Sequence, residues 1–173
     1  MILVAIGANL PGPWGATPLE TCRRAARELR RLDGLQVLTV SRFYRTTPVP
    51  RSAQPDYANA MVRLAGDAEP AALLAALQAI EQAAGRSRGA RDAARTLDLD
   101  IIDIAGQLRD SPDPVLPHPR TTERAFVLVP LADVAPDWID PRSGRGVAAL
   151  LAAIRGNGCC DARVPLDWPI PYS

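Results

Sequence analysis

The sequence predicts an α+β domain in which strands and helices alternate in the order β-α-β-β-α-β. Four short, mostly apolar runs have the length of buried strands. Three of these runs cover residues 1–6, 35–45 and 60–65, and the fourth lies where residues 95–100 continue into 101–104. Two longer segments between them repeat apolar residues at helical spacing and carry helix-terminal signals. This order is that of the split-βαβ, ferredoxin-like arrangement, in which a largely antiparallel sheet carries both helices on one face.

The two predicted helices have recognisable starts and ends. In the first, Thr17 can cap the helix, Pro18 suits the first helical position and Glu20 completes a capping box. Its apolar stripe consists of Leu19, Cys22, Ala26, Leu29 and Leu32. Asp33-Gly34 supplies the stop signal of this helix. The second helix is predicted to begin at Pro70 and to end at Gly85.

Extra helices are predicted after the last strand. The first of them runs from Thr122 to Val134, with Pro130 as a point where it must kink or shorten. The second covers Val147 to Ile154 and stops at Gly156. The tail, residues 164–173, is rich in proline, and we expect it to lie along the surface.

Composition limits the classes of function. The 173 residues, 47% of them hydrophobic, suit a single domain over 1–173, with 156–173 as an extension of unknown role. The net charge of +1 argues against nucleic-acid and membrane partners. All 20 basic side chains are arginines, which excludes a P-loop lysine and leaves arginine as the phosphate ligand. Since the cysteines suggest reduced thiols and no leader or membrane span is recognisable, we expect a cytoplasmic monomer.

The most informative stretch is Arg95-Thr-Leu-Asp-Leu-Asp100, which opens the last predicted strand. On a strand, Asp98 and Asp100 project to the same side, about 6–7 Å apart. Such a pair is suited to a hard divalent cation such as Mg²⁺, which also takes oxygens from substrate phosphates. Four arginines lie in or just before this stretch: Arg86, Arg88, Arg91 and Arg95. Together the acids and arginines indicate a site for a metal-bound polyphosphate.

Each of these features also has a simpler interpretation. Two aspartates at a strand end can be solvated, and four arginines in a loop can form an ordinary surface or a nucleic-acid patch. His118, between two prolines, can be a loop hydrogen-bonding residue, and Tyr57 and Phe126 can be core aromatics. Asp103 alternates to the other side of the strand and is expected to be structural.

Five segments in order resemble one known family. They are Ile6-Gly-Ala-Asn-Leu10, Phe43-Tyr-Arg-Thr46, Gln54-Pro-Asp-Tyr-Ala-Asn-Ala60, Arg95–Asp100, and Pro117-His118 with Arg124-Ala-Phe126. The resemblance, from Met1 to about Ala135, is to 6-hydroxymethyl-dihydropterin pyrophosphokinase of folate biosynthesis. It implies pyrophosphoryl transfer from ATP to the hydroxymethyl oxygen of 6-hydroxymethyl-7,8-dihydropterin, with release of AMP.

The resemblance also implies site residues. The positions matching Asp98 and Asp100 hold two Mg²⁺ ions, and Asp98 is the best candidate for a general base. Tyr57 and Phe126 would sandwich the pterin, Asn59 would read its edge, and Thr46 and Val49 would border it. The ATP side would consist of Gln78, Glu81, Arg86, Arg88, Arg95, His118 and Arg124. The catalytic set would be Arg86, Arg95, Asp98 and Asp100.

The chain departs from the family pattern in the arginine loop, residues 91–95, which is one residue shorter. Asp92 stands there where a tryptophan is common, which affects how this loop can close over the substrates. Pro119 follows His118 where an aromatic residue is often found. The alternative function is a non-catalytic ferredoxin-like module that binds a nucleotide or a partner through the arginine loop.

Overall fold

The computed structural model describes residues 1–48, 52–86, 94–156 and 162–166. The strands are β1 (Ile2–Ala8), β2 (Leu35–Val40), β3 (Phe43–Thr46), β4 (Tyr57–Gly66), β5 (Asp98–Ile104) and β6 (Ala162–Leu166). The α-helices are α1 (Pro18–Glu28), α2 (Pro70–Ala83), α3 (Ala125–Val134) and α4 (Val147–Gly156). Within these described ranges, no helix combines the length and apolar character needed to cross a bilayer.

The strands form one antiparallel sheet in the order β5-β1-β4-β3-β6, and β2 pairs with the other part of β4. This confirms the predicted mixed architecture with an antiparallel sheet. The predicted strand over residues 35–45 is divided into β2 and β3. Ser41 lies at the break, where its hydroxyl accepts a hydrogen bond from the Met61 N–H (2.9 Å) and donates one to the Arg42 carbonyl (2.7 Å).

Helices cover both faces of the sheet. On one face, Val4 and Ile6 of β1 pack with residues of α1 and α2 such as Cys22 and Leu77. On the other face, Leu3 of β1 packs in a separate cluster with residues of α3 and α4. The alternation of side chains along β1 therefore serves two cores, and the extra C-terminal helices build the second one.

The local signals of α1 are confirmed. The Glu20 N–H donates to Thr17 Oγ1 (3.3 Å), and the Thr17 N–H donates to Glu20 Oε2 (2.9 Å), which is the predicted capping box. After Glu28 the chain tightens into a 3-10 turn, residues Leu29–Arg31. The second helix begins at Pro70 as predicted, and Glu69 caps it through the Ala72 N–H (2.9 Å).

Two C-terminal predictions need correction. The third helix begins at Ala125, since Thr121–Glu123 forms a 3-10 turn, and Pro130 lies inside the helix. The tail was predicted without regular structure, but part of it belongs to strand β6, in which Pro165 pairs with Tyr44. Proline has no backbone N–H to donate. It is tolerated in β6 because this is an edge strand, and one side of it has no neighbouring strand among the described residues to accept that bond.

A polar cluster ties α3 to β3. The carboxylate of Asp133 accepts hydrogen bonds from the Arg42 guanidinium (2.9 Å) and from the Tyr44 hydroxyl (2.7 Å). Burial opposes ionisation, but these bonds from Arg42 and Tyr44 prevail and lower the pKa of Asp133. Burial together with the bond to Asp133 raises the pKa of Tyr44 to about 12.

We predict that Asp133→Asn lowers the free energy of unfolding by about 1–3 kcal/mol at pH 7, because it removes charge-assisted bonds. A lowered folded-state pKa stabilises the protein above the unfolded value of ~3.9, and this contribution is lost as the pH falls through the folded value. The difference from wild type should therefore shrink towards pH 3 in urea unfolding. Asp137→Asn, at an exposed position, is the control; equal losses in both variants would contradict the prediction.

Candidate active site

A cavity of about 270 Å³ opens on the face of the sheet that carries α3 and α4. It brings together most of the side chains that the sequence predicted. These are Thr46, Tyr57, Asn59, Arg86, Arg95, Asp98, Asp100, His118, Arg124 and Phe126. Four guanidiniums line it with two carboxylates, since Arg120 also contributes. The cavity therefore has a surplus of positive charge, which suits a polyanionic ligand.

Two predicted residues in the described part of the chain do not line this cavity. Gln78 is exposed on α2, and Glu81 is buried on the same helix behind Arg86. Val49 and Arg88 lie outside the described residues, as do Arg91 and Asp92 of the arginine loop. Their assignments stay predictions.

Strand β5 presents the acidic pair. Asp98 and Asp100 both reach the cavity, while Leu99 between them is buried in the core of the other face. Asp98 Oδ1 lies 2.8 Å from Arg86 Nη1, and Asp98 Oδ2 lies 2.9 Å from Arg95 Nη1. One carboxylate thus holds two guanidiniums at fixed positions beside the cavity.

Asp100 is less well compensated. Its Oδ2 lies 4.0 Å from His118 Nε2. Burial, reinforced by the charge of Asp98, raises the pKa of Asp100, while His118, Arg124 and Arg95 lower it. A cation between the two carboxylates would relieve this repulsion.

The donor set fits Mg²⁺ rather than a metal held by protein ligands alone. In the part of the chain that the structure describes, no group of three or more His, Cys, Asp or Glu side chains converges on a metal position. Mg²⁺ requires only one or two carboxylates when substrate phosphates complete its coordination. Asp98 and Asp100 meet that requirement.

His118 is fixed through its backbone and its ring. Its N–H donates to the Ile102 carbonyl (2.9 Å), and its Nδ1 accepts from the Arg120 N–H (3.3 Å). Burial lowers the pKa of His118, aided by Arg124 and Arg120 and opposed by Asp100. With Nδ1 as acceptor, the neutral ring carries its proton on Nε2, which faces Asp100.

Glu81 acts from behind the cavity wall. Its Oε1 accepts a hydrogen bond from the Leu99 N–H (2.6 Å) and forms an ion pair with Arg86. Burial raises the pKa of Glu81 to about 7, against the lowering by Leu99 and Arg86. Instead of lining the cavity, Glu81 connects α2 to β5 and orients Arg86.

Opposite the acidic pair, Asn59 of β4 forms a polar wall. Its Nδ2 donates to Thr46 Oγ1 (2.6 Å), and both side chains are buried. Gly7 of β1 lies between Asn59 and Asp98 in the sheet. A Cβ at Gly7 would lie 3.2 Å from Asn59 Oδ1, so glycine leaves this amide room. Tyr57 and Phe126 supply aromatic surface in the same cavity, and the Arg124 guanidinium lies 5.3 Å from the centre of the Phe126 ring.

Several lining residues were not singled out from the sequence. The main ones are Thr47, Pro48, Ser52, Gln54 and Arg120. Gln54 belongs to the segment 54–60 that resembles the family, and Arg120 lies two residues after His118. Closeness to these predicted residues in the sequence was the available signal. Asp103, predicted to be structural, is buried and accepts a hydrogen bond from the Gly106 N–H (3.1 Å).

Known proteins share this sequence pattern. The profile of the family described as 7,8-dihydro-6-hydroxymethylpterin-pyrophosphokinase (HPPK) matches residues 3–136. A Pseudomonas aeruginosa protein named 2-amino-4-hydroxy-6-hydroxymethyldihydropteridine pyrophosphokinase is 42% identical over 157 residues, covering 91% of this chain and 93% of that relative. A Synechocystis protein of the same name is 40% identical over 152 residues, covering 88% of this chain and 75% of the relative.

Solved structures share the fold. The wild-type HPPK-DHPS of Plasmodium falciparum superposes with a TM-score of 0.65 at 11% identity, covering 94% of this chain. Its complex with SDX-DHP gives a TM-score of 0.66 over the same share. This chain spans 46% of those chains, and at such low identity the likeness shows the fold alone.

We predict that Glu81→Ala lowers the free energy of unfolding by about 1–3 kcal/mol, because the buried Leu99 N–H loses its acceptor. Glu81→Gln should cost less, since its amide oxygen can still accept that bond. Urea unfolding measures both variants, with Gln82→Ala on the exposed side of α2 as the control. A Glu81→Ala variant as stable as this control would show that Glu81 does not connect α2 to β5.

Proposed function

The chain belongs to the 7,8-dihydro-6-hydroxymethylpterin-pyrophosphokinase family, and we propose how its cavity divides the reaction between two sides. The activity is transfer of pyrophosphate from ATP to the hydroxymethyl group of 6-hydroxymethyl-7,8-dihydropterin in folate biosynthesis. AMP is released. The observation that carries the proposal is that the acidic pair, four guanidiniums and the Asn59 wall line a single cavity.

The triphosphate side is assigned to the arginines and the acidic pair. Arg86 and Arg95 are held on either side of Asp98, and Arg124 and Arg120 approach from the segment before α3. Guanidiniums bind phosphate oxygens in bidentate fashion, so this set can fix ATP in an in-line orientation. His118 would donate from Nε2 to a phosphate oxygen.

Two Mg²⁺ ions are assigned to Asp98 and Asp100. When bound, they would neutralise charge on the phosphate oxygens and align the triphosphate for displacement. Asp98 can serve a cation while paired with both arginines, because its two oxygens offer about four lone-pair directions. Asp100 gains most from the cation, since Asp98 is its like-charged neighbour.

The pterin side is assigned to the Asn59 wall and the aromatic residues. A planar heterocycle with alternating hydrogen-bond donors and acceptors requires a flat slot for its ring. It also requires a side chain that can both donate and accept hydrogen bonds at its edge. The Tyr57 and Phe126 rings would supply the slot, and the amide of Asn59, oriented by Thr46, would supply the partner. Val49 is retained in this set as a prediction.

In the proposed reaction, the substrate hydroxyl oxygen bonds to the β-phosphorus of ATP. The bond from that phosphorus to the α–β bridging oxygen breaks, and its electron pair leaves with AMP. Arg86 and Arg95 would hold the transferred group and the leaving group through this exchange. The hydroxyl proton would pass to Asp98, which as an expected metal ligand would lie near the hydroxyl.

The proposal also includes the ferredoxin-like topology, the domain bounds, the oligomeric state and the location of the protein. The ferredoxin-like assignment is supported by the strand order β5-β1-β4-β3, in which every neighbour is antiparallel and α1 and α2 share one face. The single domain over 1–173, the monomeric state, the cytoplasmic location and the lack of nucleic-acid or membrane partners stay predictions. The alternative of a non-catalytic module is disfavoured, because such a module requires no pterin side.

We predict that Asp98→Asn and Asp100→Asn each reduce AMP formation by about 100-fold or more while each variant stays folded at the assay temperature, as circular dichroism would show. The assay incubates protein, ATP, Mg²⁺ and the pterin, and separates AMP from ADP by chromatography. Asp67→Asn, at an exposed position directly after β4, is the matched control. Chelation of Mg²⁺ should abolish activity in wild type. Near-normal AMP formation in either variant would remove the metal assignment.

We predict that Arg95→Ala reduces kcat by about 100-fold but changes the Kd for the pterin less than threefold. The reason is that its guanidinium lies with Asp98 on the triphosphate side. Steady-state kinetics and calorimetry measure the two quantities, and Arg45→Ala on the exposed side of β3 serves as control. Comparable losses in kcat and in pterin affinity would refute this division of the cavity.

A further inference from the structure

Asn9 is a buried polar residue immediately after β1 that does not itself line the cavity. Only 1% of its surface is exposed. Its side chain makes bonds in two directions, towards residues far away in sequence. A buried carboxamide with all of its groups engaged is held in a single orientation, so its partners are held with it.

On one side, Asn9 Nδ2 donates to Gln54 Oε1 (3.1 Å) and to the Pro55 carbonyl (3.3 Å). Gln54 Oε1 also accepts from the Tyr57 hydroxyl (3.3 Å). Gln54 and Tyr57 both line the cavity on its pterin side. The amide donors of Asn9 thus fix the loop that leads into β4.

On the other side, Asn9 Oδ1 accepts from the Arg95 N–H (2.8 Å). The Arg95 carbonyl in turn accepts from the N–H groups of Asn9 (3.1 Å) and Leu10 (3.2 Å). The main chain of Arg95 is therefore fixed on both its donor and its acceptor, while its guanidinium pairs with Asp98 at 2.9 Å.

We propose that Asn9 is a positioning residue that couples the pterin side of the cavity to the triphosphate side. The inference rests on the division of the cavity proposed above. Pterin contacts with Gln54 and Tyr57 would favour the bonded arrangement of Asn9 over arrangements in which these bonds are broken, and would thereby favour the Arg95 position at which the phosphates bind. Since coupling between two ligands is reciprocal, bound nucleotide should raise pterin affinity by the same factor.

The residue type supports this role. Only a carboxamide offers two donors to the oxygens of Gln54 and Pro55 and an acceptor to the Arg95 N–H. An aspartate would turn an oxygen towards two other oxygens while keeping the acceptor for Arg95. Asn9→Asp therefore separates the pterin half of the bridge from the phosphate half, and Asn9→Ala removes both.

The test is calorimetric titration of 6-hydroxymethylpterin with and without the Mg²⁺ complex of α,β-methylene-ATP, in which the bond that would break is blocked. We expect nucleotide to tighten pterin binding at least tenfold in wild type, and less than threefold in Asn9→Ala. In Asn9→Asp we expect pterin affinity to fall about tenfold, while affinity for the nucleotide alone changes less than twofold. Turnover at saturating substrates should fall more in Asn9→Ala than in Asn9→Asp.

The matched control is Ser41→Ala. It also removes a buried side chain that connects two backbone groups, the Arg42 carbonyl and the Met61 N–H, but Ser41 does not line the cavity. It should lower stability without changing the coupling. If Asn9→Ala does not fold, Asn9→Asp and Gln54→Met decide, and reduced coupling in both supports the proposal. If the folded variants show the same increase in pterin affinity with nucleotide as wild type, the proposed role of Asn9 is overturned.

The wild-type titration separates this inference from the proposed function. Wild type that binds both ligands without coupling overturns the role of Asn9 and leaves the function standing. Wild type that binds neither ligand overturns both.

Discussion

The structure depends on how Asp98 is compensated. Two guanidiniums, from Arg86 and Arg95, share this carboxylate, and Glu81 holds Arg86 from behind the wall. Without the two guanidiniums, the repulsion between Asp98 and Asp100 would be stronger, and without Asp98 the guanidiniums of Arg86 and Arg95 would repel each other. Burial of the Glu81 carboxyl raises its pKa, and this effect outweighs the lowering by the Leu99 N–H and by Arg86.

The fold was predictable where the signal is local. The capping box of Thr17 and Glu20 and the alternation along β5 follow from neighbouring residues, and both are present. The break between β2 and β3 was not predictable, because it depends on Ser41 contacting Met61 across the sheet. Strand β6 was also missed, since Pro165 argues against a strand and only pairing with β3 permits one.

The residues of the candidate site were likewise predictable only where neighbouring residues carry the signal. The alternation along β5 was enough to place Asp98 and Asp100 on one side, and the motifs indicated the aromatic residues. Glu81 was assigned to ATP by the family resemblance alone, and its burial on α2 behind Arg86 could not be predicted from the sequence. The contacts of Asn9 with Gln54 and Arg95 span 45 and 86 residues, so no local pattern could indicate them.

The bridge at Asn9 also shows why neutral groups join the two sides of the cavity. An arginine there could donate to Gln54 and Pro55, but it would leave the Arg95 N–H without its acceptor. It would also add a positive charge beside the four guanidiniums and two carboxylates of the cavity. A carboxamide fixes the same backbone groups without adding to the electrostatic field in which the triphosphate must bind. Rigid connection and charge balance can therefore be set independently, the first by Asn9 and Asn59, the second by the arginines and the acidic pair.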